Sequence, residues 1–220
     1  MENSSPTEIN DKDIASLVKE LNLSRKKPVP VPPSYETVIT TGREYPNLRV
    51  RLLYLWLYLT GQRISEALRV KRRDVTRRQI GALEYWLVDS ITLKNRLQPR
   101  REISVPMHGI EEEKSRAVYA TIEPLDPDEL IFEGITRQKA YNYLSTVKLP
   151  CQVINAKKER FLEEIPVYPH LLRHCRATHL VREHNFHLKM LMDFFGWSSP
   201  TMANVYTSPS WQSTARGFIH

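Results

Sequence analysis

Hydrophobic positions crowd one stretch of this 220-residue chain. The run LRVRLLYLWLYLTG, which starts at Leu48, is apolar on nearly every side. That pattern predicts a buried helix with Gly61 close to its end. Its Tyr, Trp and Val residues also suit a strand, but the length argues for helix. Upstream, Ile14, Leu17, Val18 and Leu21 recur at helical spacing. An amphipathic helix is therefore expected over 11–22, capped by Asn10 or Asp11. The prolines of RKKPVPVPPS (25–34) impose extended backbone, which predicts a linker or surface strap and a boundary near residue 34.

Past Gly61, SEALRVKRRDV begins with Ser65 as a plausible cap and places Leu68 inward. LEYWLVDSITL (83–93) is rich in β-formers with rough alternation, KNRLQP is turn-like, and RREISVPM alternates again with Ile103 and Val105 on one face. A β-hairpin with Lys94 at its turn end follows. Residues 108–148 read as mainly helical, broken at Pro124 and Pro127, and 157–164 as a charged segment with a turn before Pro166. Pro169 suits the first turn of a helix running to about His184, with Asn185 ending it. Leu188, Leu191, Met192 and Phe195 mark the next helix, closed by Gly196. Ser199 and Pro200 open a last helix holding Tyr206, and the tail beyond 207 is ambiguous.

Composition narrows the setting. No apolar run reaches the roughly 18 residues of a membrane helix, and the acidic N-terminus MENSSPTEIND is no secretory signal. Cys151 and Cys175 lack metal or disulfide spacing, which fits a reduced cytoplasmic environment. The net charge is +7 and the pI about 9.4. Two basic clusters carry most of the interest. One holds Arg69, Lys71, Arg72, Arg73, Arg77 and Arg78, the other Lys94, Arg96, Arg100 and Arg101. Either alone reads as a solvated face. Together, flanking one hairpin, they point to the phosphate backbone of a nucleic acid.

The run HLLRHCRATHL (170–180) poses the chemical question. A core-facing helix has little use for three histidines and two arginines. His170 and His174 stand one turn apart, which suits zinc, but no metalloprotease glutamate or third ligand accompanies them. A structural or surface histidine cluster is a second reading. A phosphate site is the third, since arginine offers a rigid fork to two oxygens and neutral histidine accepts a proton beside it. Such a site recruits a second cation. Arg63, in TGQRISEAL, stands at the junction after Gly61, with Glu66 placed to hold its guanidinium. A nucleophile completes the set: Tyr206 follows GWSSPTMANV, and its phenol attacks phosphorus only where cations or a base assist.

TGQRISEAL…RRD, a hairpin lysine, HLLRH and GWSS…Y occur in an order and spacing that resembles the tyrosine recombinase family, the lambda-integrase, Xer and Cre-like group. The resemblance spans roughly residues 45–210. It implies an α+β, mainly α-helical catalytic-domain fold with a small antiparallel hairpin or sheet, over 35–220, after an N-terminal helix and proline linker (1–34). Residue by residue it implies catalytic roles for Arg63, Lys94, His170, Arg173, Trp197 and Tyr206, with support from Glu66 and His174. The family commonly has histidine where this chain has Trp197, so proton transfer is assigned to Lys94 and His170. The implied reaction is attack by Tyr206 on a DNA phosphodiester, giving a 3′-phosphotyrosyl bond and a 5′-hydroxyl, with Lys94 as acid and His170 as base. No cofactor or metal is implied. Double-stranded DNA is the expected partner, contacted by Arg69, Lys71, Arg72, Arg73, Arg96, Arg100 and Arg101, and a tetramer on two DNA sites the expected assembly. Arg176 and His179 are left to an exposed face or a backbone contact. A type IB topoisomerase or telomere resolvase shares the implied site, and an inactive DNA-binding module is the non-enzymatic alternative.

Overall fold

The long apolar run is a helix. It is α2 (Leu48–Thr60), preceded by α1 (Tyr35–Thr41), in the computed structural model, which describes residues 30–92, 99–154 and 159–207. Asn47 caps α2 by accepting the Arg49 amide at 2.8 Å. Gly61 closes it in the left-handed conformation, φ 58°. Leu53, Tyr54, Trp56, Leu57, Tyr58 and Leu59 are fully buried, because other elements cover α2 on most sides.

Past Gly61 the chain departs from expectation. Ser65 caps nothing. Arg63 is the extended residue that precedes α3 (Ile64–Ala67), and the Glu66 carboxylate reaches back to the Arg63 amide at 3.1 Å. A carboxylate three residues inside a helix can satisfy that amide, whereas Ser65 already lies within the turn.

β1 (Val75–Ile80), β2 (Leu83–Ile91) and β3 (Arg100–Pro106) form an antiparallel sheet in that order. The β2–β3 pair is the expected hairpin. β1 is an addition that the charges of VTRRQI conceal; it is an edge strand, where exposed arginines discourage pairing with another chain. Burial alternates along β3, so Arg101, Ile103 and Val105 face inward while Arg100, Glu102 and Ser104 face out.

α4 (Glu112–Ile122) and α5 (Arg137–Leu144) lie on either side of the break at Pro124 and Pro127. Helix ends at Leu144, however, and β4 (Lys148–Ile154) pairs antiparallel with β5 (Arg160–Pro166). This second hairpin corrects the reading of 157–164 as a charged segment with a turn before Pro166, since strand runs through Pro166. β5 is exposed at every position but Ile165, so no buried face imprints alternation on its sequence. α6 (Pro169–His184), α7 (Leu188–Phe195) and α8 (Pro200–Thr207) follow as expected, with Asn185 (φ 54°) and Gly196 (φ 64°) ending α6 and α7.

α6 packs on α2, and this junction overturns one expectation. Arg176 and His179 are buried, each 1% exposed. Arg176 Nη2 donates to Glu111 at 3.1 Å, its Nη1 also bonds that carboxylate, and His184 Nε2 lies 2.8 Å from it. His179 bonds the Tyr58 hydroxyl through Nδ1 at 2.8 Å and the Pro33 carbonyl through Nε2 at 2.9 Å. Pro33 belongs to the proline strap, which Val31 fastens to Gln152 of β4 by two backbone bonds. The expected helix over 11–22, Lys94, Arg96 and the tail beyond Thr207 lie outside the described residues. Among the described residues, no helix is long and apolar enough to cross a membrane and no cluster of side chains could hold a metal ion.

Candidate active site

Five of the expected residues line one cavity, because three helices meet. α6 supplies Arg173 and His174, the turn after α7 supplies Trp197, and α8 supplies Tyr206. With His170, Tyr168, Met202 and Pro30 they line a cavity of about 230 Å³. His170 is exposed at its rim, Arg173 is 5% exposed, and His174 and Tyr206 are half-buried.

Arg173 is fixed from below. Nη1 donates to the Gly61 carbonyl and Nη2 to the Phe195 carbonyl, the latter at 3.0 Å. Gly61 is the residue that closes α2 and Phe195 the last of α7, so both carbonyls lie where a helix ends. Its guanidinium lies 4.6 Å from the Phe195 ring centroid and 5.6 Å from that of Trp197. Burial, and then the neighbouring Arg63 and Arg101 guanidiniums, bring its pKa down to about 9, so it stays charged at neutral pH.

Arg63 enters from α3. Its Nη1 donates to Glu66 Oε1 at 2.8 Å, the support that spacing suggested. Glu66 is 2% exposed. Burial opposes its ionisation, but Arg101 and Arg63 outweigh that effect and lower its pKa. The second partner of Glu66 is the surprise: Arg101 Nη2 lies 3.2 Å from Oε2, so a residue expected on a DNA-facing surface is instead buried beside the site. The signal was present in RREISVP, where alternation puts Arg101 on the face of Ile103 and Val105.

Tyr206 is held by two neighbours. Its ring stacks on Trp197, centroids 5.6 Å apart and planes 8° apart. Its hydroxyl is 3.0 Å from His174 Nδ1, and His174 Nε2 is 2.7 Å from the Pro30 carbonyl. A carbonyl only accepts, so Nε2 carries the hydrogen; in the neutral ring Nδ1 is then bare and accepts from the tyrosine. Burial lowers the His174 pKa despite the Pro30 bond, which favours this neutral form. Burial also raises the Tyr206 phenol to about 12, against the lowering effect of Arg173. A phenol this weakly acidic needs a base, and His174 is in position to be one. His174, expected as a supporting residue, is thus the histidine bonded to the Tyr206 hydroxyl. No sequence signal marked Pro30, because a backbone carbonyl looks the same at every residue.

The other expected DNA contacts are spread over the surface around β1–β3. Arg69 is exposed. Lys71 and Arg73 bond Asp128 at 3.0 and 2.6 Å, Arg72 donates to the Val75 carbonyl, and Arg100 pairs with Asp89 at 2.7 Å. Much of the basic cluster is therefore paired locally with acids and carbonyls.

A sequence model of the phage integrase family matches residues 35–212. Among solved structures, the XerH site-specific recombinase bound to its difH substrate superposes with a TM-score of 0.55 at 21% identity, over 89% of this chain and 55% of that one. XerA recombinase gives 0.55 at 18% identity, over 94% and 72%. The Tn1549 transposon integrase in complex with transposon right-end DNA gives 0.55 at 17%, over 99% and 71%. The chain thus spans about half the length of the XerH chain. No curated protein matches it in sequence. The architecture these likenesses share is the tyrosine recombinase catalytic-domain fold, mainly helical with small antiparallel sheets.

Proposed function

Since the chain belongs to the phage integrase family, we propose that it is a site-specific DNA recombinase that cuts and rejoins strands through Tyr206. The observation that carries this reading is the Tyr206 hydroxyl, bonded to a tautomer-fixed His174 in a cavity that Arg173 also lines. In the proposed step the Tyr206 oxygen bonds the phosphorus of a DNA phosphodiester, and its proton passes to His174 Nδ1. The bond from phosphorus to the 5′ oxygen breaks, and Lys94 delivers a proton to that leaving oxygen. Arg63 and Arg173 neutralise charge on the nonbridging oxygens, and because the protein holds both guanidiniums in place beforehand, little reorganisation is needed at the moment of reaction. Trp197 packs against the tyrosine and offers its indole N–H, which has no partner among the described residues. His170, at the cavity rim, contacts the DNA or helps relay the proton. The phosphotyrosyl bond conserves the energy of the phosphodiester, so rejoining needs no nucleotide cofactor.

Double-stranded DNA is the partner, contacted by Arg69, Lys71, Arg72, Arg73, Arg96 and Arg100. A homotetramer on two sites, acting in the cytoplasm, completes the proposal, as does a division at residue 34 between an N-terminal arm and a catalytic domain. The test is incubation with a pool of nicked duplexes of randomised sequence. The expected result is a covalent protein–DNA adduct that Tyr206→Phe abolishes, with the cleaved site recovered by sequencing. An adduct that persists in Tyr206→Phe removes the nucleophile. DNA binding with no adduct from the intact chain favours a non-catalytic binding module.

A further inference from the structure

Arg101 is buried, 4% exposed in its side chain, and Glu66 takes only one of its three guanidinium nitrogens. Nε and Nη1 have no partner among the described residues. A buried N–H left without an acceptor is costly, and more so on a charged group. Two further buried polar atoms in this part of the molecule share that state, Thr92 Oγ1 and Trp197 Nε1. All four can donate a hydrogen bond.

The charges lean the same way. Arg63, Arg101 and Arg173 all act electrostatically on one another, and Glu66 is the carboxylate that acts on both Arg101 and Arg173. Three cations around one anion leave a surplus of positive charge in a half-dry site. The backbone also comes close to Arg101. Gly196 lies so close that a Cβ on it would stand 2.6 Å from Arg101 Nη1 and 3.4 Å from Thr92 Cγ2, and Gly196 leads directly to Trp197. A side chain at 196 would require the guanidinium to shift, on a backbone whose φ of 64° already favours glycine.

We propose that Arg101 is a third phosphate-binding guanidinium of this site, held by Glu66 and donating through Nε and Nη1 to the substrate's phosphate. The proposal rests on the phosphoryl-transfer reading above and adds a residue to it. A phosphodiester carries one negative charge, and attack by a phenolate adds a second in the transition state. Two arginines beside Glu66 leave a surplus of one positive charge; the third matches the charge that appears only during reaction.

The competing role is a strut that merely positions Glu66 and, through it, Arg63. Sulfate, a tetrahedral dianion, separates the two. The full chain is titrated with sodium sulfate against sodium chloride at constant ionic strength, by calorimetry and thermal melting. Saturable binding is expected, weakened about tenfold or more in Arg101→Met and unchanged in Arg78→Met, an exposed control. Arg101→Lys restores part of the affinity because it keeps a cation, and it carries the comparison alone if Arg101→Met does not fold. Unchanged sulfate affinity in the Arg101 variants, beside a loss in Arg173→Met, makes Arg101 a strut and leaves the proposed function standing. No saturable binding by any form overturns the phosphate site itself, and Arg101 with it.

Discussion

His174 has both ring nitrogens committed, and the Pro30 carbonyl decides which one can accept a proton from Tyr206. The consequence is a pH dependence of known sign. Burial lowers the His174 pKa, so the ring is neutral and able to accept a proton at pH 7. Adduct formation is expected to be level through neutrality and to fall, about tenfold per pH unit, only below the ordinary histidine range near 6.5. Single-turnover rates across pH test this. His174→Gln should be slower by about a hundredfold or more at neutral pH and should lack the acid limb; an acid limb that survives in it assigns the base elsewhere. In sequence, the resemblance ranked His170 of HLLRH as the base and His174 as its support, and the proposed function reverses that order. The ranking depends on which Nδ1 reaches a phenol 32 positions away.

The ends of helices, more than their bodies, build this site. Arg173 is anchored on carbonyls where α2 and α7 end, and Arg63 stands at the start of α3. Gly61 is the pivot, with φ 58° and the Phe195 ring against its Cα. Alanine there faces both a left-handed backbone and a clash with an aromatic ring. Gly61→Ala is expected to destabilise the fold by about 2–4 kcal/mol, read from urea unfolding with an unchanged slope. Helix ends were legible beforehand, since Gly61, Pro169, Asn185 and Gly196 are strong local signals. The strands β1, β4 and β5 were not. β1 and β5 are largely exposed, and a buried face is what writes alternation into a sequence; β4 buries Leu149 and Cys151, but Pro150 between them masks the strand.

At the scale of the molecule, the proline strap, α2 and α6 are tied by buried polar groups that no local pattern foretold. Glu111 is fully buried between Arg176 and His184. Burial alone would raise its pKa, but Arg176 and His184 prevail and hold it at about 2. A carboxyl depressed in the folded state stabilises at pH above its unfolded value, near 4.3. That contribution is lost as pH falls from there towards 2. Glu111→Ala leaves Arg176 charged and buried, and is expected to cost about 3–5 kcal/mol in chemical denaturation and to blunt the acid transition. By itself the sequence determined the helical skeleton, the β2–β3 hairpin and the residue types of the candidate site, because period, caps and motif spacing are local properties of a chain. Tertiary structure alone decided that Arg101 is buried against Glu66, that His174 bonds Tyr206 and that Arg176 lies in the core. Those outcomes turn on contacts between residues as far apart as Pro30 and His174, 144 positions. There the burial of a charge is settled by whether a partner arrives from elsewhere in the fold.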